Sequence, residues 1–398
     1  MAVWLQLVTE GDLCTPPLLL GLMVTANPAE TRSPVEISSR NQALDVLRGI
    51  AVLLVLSSHY GEPARYPFFV RIGWSGIDLF FVLSGFLISG LLFSDYKRTG
   101  TINVKRFWIR RGFKIYPSFY VLVAITTLVS LLVHGRFPPR ILSDVFFLQN
   151  YLPSFWTHGW SLAVEEHFYF VLPLLLLALT RLDSAQPFRF LPAFSIALTL
   201  FCLYLRIETC SHTLEWSKTI IPTHLRIDAL FAGVALGYFN HFDNASFRAC
   251  AKIPLLCFAG VLLLVPSFLF AGTMLMGTVG LTLTFVGYGV ILVWAVNRPP
   301  SNARCMRYIS AIGYYSYSIY LWHRPISLFF DRLPQNAAMF AAYFAASIGI
   351  GVVMSRLLEI PSLTVRDLWF PAAISQHGKQ STEAVVATNW RIARQTSR

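Results

Sequence analysis

Arg48 and His59 stand eleven residues apart and form the first pair in this sequence whose types and spacing could do chemistry. On a helix they would lie about 16 Å apart along the axis and within roughly 20° of one face. A guanidinium grips phosphate by forked, charge-assisted hydrogen bonds. Imidazole is the side chain best suited to general-base work near neutral pH. Further cations follow at Arg106, Arg110, Arg111 and Lys114, and further ionisable groups at Asp78, Glu165, Glu166, Arg226, Asp228 and His323. Cations at one end and acid/base groups at the other suit a polyanionic ligand that delivers a reactive group. One ligand joins both ends: an acyl thioester of coenzyme A, with its phosphates on the cations and its long arm carrying the acyl group toward His59. A proton-coupled transporter would use similar groups, so the residues alone leave both readings open.

Each group also has a plainer reading. The basic run from Arg106 to Lys114 can be only a topology determinant, and Arg48 and Arg111 can snorkel to headgroups. Glu165 and Glu166 can pair with Arg226 as structural glue. His59 and His323 can be packing residues, and Pro325 directly after Arg324 would break a helix there. Tyr314, Tyr315, Tyr317 and Tyr320 read first as core and interface aromatics, with Tyr317 carried as a substrate-side candidate.

The elements that must position these groups follow from composition. Of 398 residues, 55% are hydrophobic, 15% aromatic and only 13% charged, where a soluble chain carries about a quarter charged residues. The bilayer is therefore the solvent. A span needs about 20 mostly apolar residues, and ten such runs occur: 44–60, 74–93, 115–133, 160–180, 190–206, 224–240, 253–271, 273–296, 309–330 and 337–358. Pro266 and Gly272 alone mark the reversal between the seventh and eighth. The fold expected is all-α and integral to the membrane, with about ten transmembrane helices.

The net charge of +12 would suggest nucleic acid in a soluble protein. In a membrane protein it is first a statement about topology, and nucleic acid is not expected as a partner. With a cytoplasmic N-terminus, 21 of the 32 Lys and Arg fall on the inner side and six on the outer, which places both termini inside. Arg48 then lies at the inner mouth, while His59, Asp78, Glu165, Glu166, Arg226, Asp228 and His323 lie in the outer half. The six cysteines have no metal-type spacing and read as reduced filler, and no metal is expected. Residues 1–43 form a poorly defined extension without a convincing signal peptide. Residues 44–360 form the membrane domain, and 361–398 a basic, polar, cytoplasmic tail.

Local strings add a family. Leu44-Asp45-x-Leu47-Arg48-Gly49-Ile50-Ala51 leading to His59, and Gly76-Ile77-Asp78-Leu79-Phe80-Phe81-Val82-Leu83-Ser84-Gly85-Phe86-Leu87, resemble the opening of the membrane-bound acyltransferase-3 family. Arg110-Arg111-Gly112-Phe113-Lys114-Ile115-Tyr116-Pro117, Trp160-Ser161-Leu162-Ala163-Val164-Glu165-Glu166-His167-Phe168-Tyr169 and Ser316-Tyr317-Ser318-Ile319-Tyr320-Leu321-Trp322-His323 continue the resemblance, which covers about 44–360. It implies a ten-helix enzyme of the cell membrane, the inner membrane in a bacterium. Such an enzyme moves an acyl group, commonly acetyl, from cytoplasmic acyl-CoA to a hydroxyl of a glycan, lipid-linked sugar or secondary metabolite. The family's arginine and histidine pattern falls on Arg48 and His59, and its paired basic motif on Arg111 and Lys114, where Lys keeps the charge but loses the fork.

Many relatives of this type add an extracytoplasmic hydrolase-like domain, and the tail here carries no nucleophile motif. The expectation is that the chain completes transfer itself or hands its product to a separate extracytoplasmic partner. In the leading reading His59 accepts the acceptor's proton. Glu165 or Glu166 orients the imidazole or the acceptor, and Arg48, Arg110, Arg111 and Lys114 hold the donor. Asp78, Arg226, Asp228, Tyr317 and His323 face the acceptor. The competing readings are a transporter or flippase of a polysaccharide precursor, whose carboxylates would relay protons, and a non-enzymatic scaffold.

Overall fold

In a chain whose solvent is lipid, backbone groups must be satisfied within the chain, and helices achieve this locally. The computed structural model describes residues 41–60, 72–270 and 272–371. Among these residues every regular element is a helix. Most of the N-terminal extension and most of the tail, residues 1–40 and 372–398, lie outside the described residues.

The principal helices are α1 (Gln42–Ser58), α2 (Gly76–Thr99), α3 (Val104–His134), α4 (Trp160–Leu182), α5 (Leu191–His212), α6 (Ile227–Phe242), α7 (Leu256–Leu269), α8 (Leu281–Val296), α9 (Arg304–Tyr314), α10 (Ser316–Phe330), α11 (Ala337–Met354) and α12 (Ile360–Trp369). Each of the ten apolar runs is occupied by helix. Six stretches are long and apolar enough to cross a membrane: 76–99, 104–134, 157–182, 191–212, 276–296 and 337–369. A bent pair, Asn244–Ala251 with Leu256–Pro266, makes a seventh if it counts as one span. The chain is thus a multi-pass membrane protein.

The polarity of α5 is that of a helix in lipid. Its buried residues include Ser195, Cys202 and Arg206, while Phe194, Ile196, Leu200, Phe201 and Tyr204 are exposed. Charge faces the bundle and apolar side chains face out, the reverse of a soluble surface helix.

Three departures from hydropathy bear on the site. The apolar pattern starts the third helix at 115, yet α3 begins at Val104 and includes the basic run. Lys and Arg are good helix formers, and the Asn103 side chain caps the start by accepting from the Arg106 N–H at 3.0 Å. Arg106, Arg110 and Lys114 therefore repeat at a spacing of four residues on one face. The run 309–330 is divided into α9 and α10 at Tyr315. At Pro325 the helix does not break, because α10 continues to Phe330. The last run extends beyond 358 through a wide turn, Ser355–Glu359, into α12.

Glycine permits two close helix crossings. A Cβ on Gly313 would sit 1.8 Å from the Asp45 carbonyl, which fixes α9 against α1. A Cβ on Gly233 would sit 2.2 Å from the Val82 carbonyl, which brings α6 onto α2, as the small-residue spacing of Gly233 and Gly237 suggests.

Candidate active site

Helices α1, α2, α3, α4, α9, α10 and α12 line a cavity of about 670 Å³, within the size range of small-molecule sites. Along α2 its lining runs from Arg98 to Phe80, about 27 Å of helix. Seven cations line it: Arg48, Arg98, Arg106, Arg110, Arg111, Lys114 and Arg366. Three acids, Asp95, Glu165 and Glu359, oppose them. A surplus of forked guanidiniums in the wall suits a polyanion.

Further in, the wall becomes a hydrogen-bonded chain. Arg111 lies over the Tyr169 ring, 4.1 Å from its centroid, and donates to the Tyr169 hydroxyl. That hydroxyl donates to Glu165 at 2.8 Å, and Ser84 donates to the other oxygen at 2.7 Å. The buried Nε of Arg111 has no hydrogen-bond partner among the described residues. A buried orphan donor is costly, and a bound anion or carbonyl would satisfy it.

Phe80, Ser161 and Tyr320 line the cavity away from these cations. The Tyr320 hydroxyl lies 2.5 Å from the Ser161 hydroxyl and 2.5 Å from the His158 carbonyl, to which it donates. On the other side of Tyr320 stand three histidines. The Tyr320 ring is 5.8 Å from the His323 ring and 5.9 Å from that of His158. The His323 ring is in turn 4.9 Å from His59 and 5.4 Å from His158. None of the three lines the cavity.

The sequence candidates thus divide into three groups. Arg48, Arg110, Arg111, Lys114, Glu165 and Tyr317 share the cavity wall. His59 and His323 meet beyond Tyr320. Asp78, Arg226 and Asp228 are brought to neither place. Arg226 donates to Asp78 at 2.7 Å, and Asp228 takes both terminal nitrogens of Arg206, at 3.2 and 2.8 Å. All four are at most 2% exposed; the pairing leaves Asp78 Oδ2, Arg226 Nε and Nη1 and Arg206 Nε without a partner among the described residues. Glu166 accepts from Tyr116 at 3.1 Å, and its other oxygen has no partner among the described residues. The His59 ring faces its own helix: Nδ1 lies 2.9 Å from the Val55 carbonyl and 3.3 Å from the Ser58 hydroxyl.

Comparison with known proteins decides the family. Residues 41–356 match the family described as "Acyltransferase domain". The chain belongs to this acyltransferase-3 family. Peptidoglycan O-acetyltransferase OatA of Listeria monocytogenes is 27% identical over 318 residues, covering 71% of this chain and 49% of the relative. O-acetyltransferase OatA of Staphylococcus aureus is 26% identical over 311 residues, covering 72% and 50%. The chain spans about half the length of the curated relatives it matches. No solved structure matches it.

Just beyond the matched segment, Glu359 is a cavity residue that the sequence pattern did not mark. It is 3% exposed, pairs with Lys114 and accepts from Ser318 at 2.6 Å and Ser355 at 3.0 Å. An acid directly after the last apolar run, 337–358, needs a counter-charge, and that is its signal. Lys114 is 28% exposed and its partner 3%, so the two deletions should differ. Lys114→Met is expected to cost about 2–3 kcal/mol by leaving a buried carboxylate unpaired, and Glu359→Gln less, because the ammonium still reaches water. Thermal unfolding of the two purified variants checks the order. Equal losses would mean that the pair does not act in this way.

Proposed function

We propose that this chain is an O-acetyltransferase of the cell membrane that takes acetyl from cytoplasmic acetyl-CoA and places it on a glycan hydroxyl. The relatives point to peptidoglycan as the acceptor. The observation that carries the reading is the cavity, which joins a cationic mouth to Ser161 and Tyr320, backed by His59. Ten spans with both termini inside fit the distribution of Lys and Arg, and they put the mouth at the cytoplasmic face.

In this reading Arg48, Arg98, Arg110 and Arg111 hold the donor's phosphates, and Lys114 completes the field while tied to Glu359. The pantetheine arm runs down the cavity, and the thioester reaches Ser161 and Tyr320. The chemistry is simple to balance. The acceptor O–H bond breaks, its oxygen forms a bond to the acyl carbon, the carbon–sulfur bond breaks, and the thiolate leaves as a thiol. The Val55 carbonyl can only accept, so the His59 hydrogen sits on Nδ1 and Nε2 carries the lone pair. That nitrogen takes the acceptor's proton. Glu165, in the cavity wall, positions Tyr169 and through it Arg111.

The test uses purified chain in nanodiscs with acetyl-CoA and a soluble peptidoglycan fragment. Free CoA thiol should appear when the fragment is added, and the fragment should gain one acetyl mass. Movement of the fragment across a proteoliposome without thiol release would instead establish a transporter.

A further inference from the structure

His158 lies just before α4 and in none of the apolar runs, and no sequence motif marks it. Its place depends on Pro325. Proline has no N–H, so the carbonyl four residues earlier, Leu321, has no helical donor. The His158 Nε2 stands 3.3 Å from that oxygen. Around it, the fully buried Asp144 carboxylate accepts from the backbone of Phe155 and Trp156 at 2.9 and 3.3 Å, and Gln149 donates to the Gly159 carbonyl at 3.0 Å. The turn carrying His158 is therefore built rather than loose.

The three rings share one electronic feature. His59 Nδ1 faces the Val55 carbonyl, His323 Nδ1 the Tyr320 carbonyl at 2.5 Å, and His158 Nε2 the Leu321 carbonyl. Carbonyls only accept, so each ring gives its hydrogen to the backbone and keeps a bare lone pair on its other nitrogen. Two of those nitrogens, His323 Nε2 and His158 Nδ1, are buried without a partner among the described residues. His323 is 0% and His158 5% exposed. Three acceptors grouped together cannot satisfy one another. They call for a proton or a donor that is not part of the resting protein.

We propose that His323 and His158 are positioning residues of the transfer reaction, holding in common with His59 the proton that the acceptor hydroxyl loses. The proton enters at His59 Nε2, is shared through a bridging water or hydroxyl with the bare nitrogens of His323 and His158, and leaves to the thiolate. The route out passes the Tyr320 and Ser161 hydroxyls, which stand 2.5 Å apart on the cavity wall, with the Tyr320 ring 5.8 Å from that of His323 and 5.9 Å from that of His158. No other co-reactant is needed, since the proton lost by the hydroxyl is the proton gained by sulfur.

This rests on the transfer reading above, and the experiment separates the two. Wild-type protein with acetyl-CoA and a soluble peptidoglycan fragment is assayed for thiol release across H2O–D2O mixtures. Absence of thiol release overturns the transfer reading. With release present, a curved dependence of kcat on deuterium fraction, reporting several protons in flight, is expected. A linear dependence overturns the shared proton. His158→Gln and His323→Asn each keep an N–H for the backbone carbonyl but cannot hold a proton. Either variant, recovered folded, should lose about 10- to 100-fold in kcat with the acetyl-CoA KM unchanged and the dependence straightened, a modest share of the general-base effect. Wild-type kcat with an unaltered isotope dependence in a folded variant overturns the proposal.

Discussion

His59→Ala is expected to lower kcat by about 10²–10⁴-fold, the range that general-base assistance typically supplies, with the acetyl-CoA KM unchanged. The split between kcat and KM follows from geometry. Arg48 lies about 16 Å from His59 along α1, and Arg110, Arg111 and Lys114 pair with Asp367, Tyr169 and Glu359. Donor binding should therefore survive the substitution. The fold should survive too, since His59 is the C-terminal cap of α1 and half-buried, and its ring bond is to its own helix. Thiol release by purified protein, with size-exclusion behaviour as the folding control, measures the effect. Transfer at the wild-type rate by a well-folded alanine variant would remove His59 from the chemistry. A rise in KM alone would move it to donor binding.

Periodicity made part of this site readable. Arg48 and His59 share a helix, so their separation needs nothing beyond the helical rise and turn. The basic face of α3 was equally open to view, although hydropathy placed it outside the helix because hydropathy measures burial and not helix propensity. What could not be read is whatever depends on distant parts of the chain meeting. Glu359 lies 245 residues from Lys114, and only the wide turn after α11 brings it there. Arg98 and Arg366 join the mouth from the ends of helices that hydropathy treats as loop or tail. His158 is positioned by a carbonyl that Pro325 leaves free, a consequence of backbone chemistry 167 residues away that no local pattern signals.

The charges in apolar runs show the opposite limit. Asp78, Arg226 and Asp228 were correctly read as ionisable groups in apolar surroundings, and such groups are functional candidates by default. That default rests on cost, and cost has two remedies: a ligand or an internal counter-charge. Here each group has an internal counter-charge, while Asp78 Oδ2 and Arg226 Nε and Nη1 keep no partner among the described residues. Asp78 with Arg226 ties α2 to α6, and Asp228 with Arg206 ties α6 to α5. Both ties lie on the N-terminal side of the close α2–α6 crossing at Gly85 and Gly233, and α2 forms part of the cavity wall.

Asp228→Ala is accordingly expected to destabilise the protein by about 3–5 kcal/mol, the usual consequence of leaving one member of a buried pair alone. The tie is well made. Arg206 and Asp228 are each 0% exposed, their two nitrogens and two oxygens lie 3.2 and 2.8 Å apart, and Arg206 also donates to the Leu225 carbonyl at 2.9 Å and to Thr282 at 2.8 Å. Removing the carboxylate strands a guanidinium with no route to water. Removing both charges does not, and Arg206→Met with Asp228→Leu should recover most of the loss, because apolar replacement of a buried pair is often neutral. Thermal unfolding of the two proteins in detergent measures the recovery, and thiol release from acetyl-CoA assigns the role. If Asp228 is a tie, activity returns with stability in the double variant. If it binds the acceptor, the double variant is stable but inactive, because a leucine restores packing and cannot restore a hydrogen-bond acceptor.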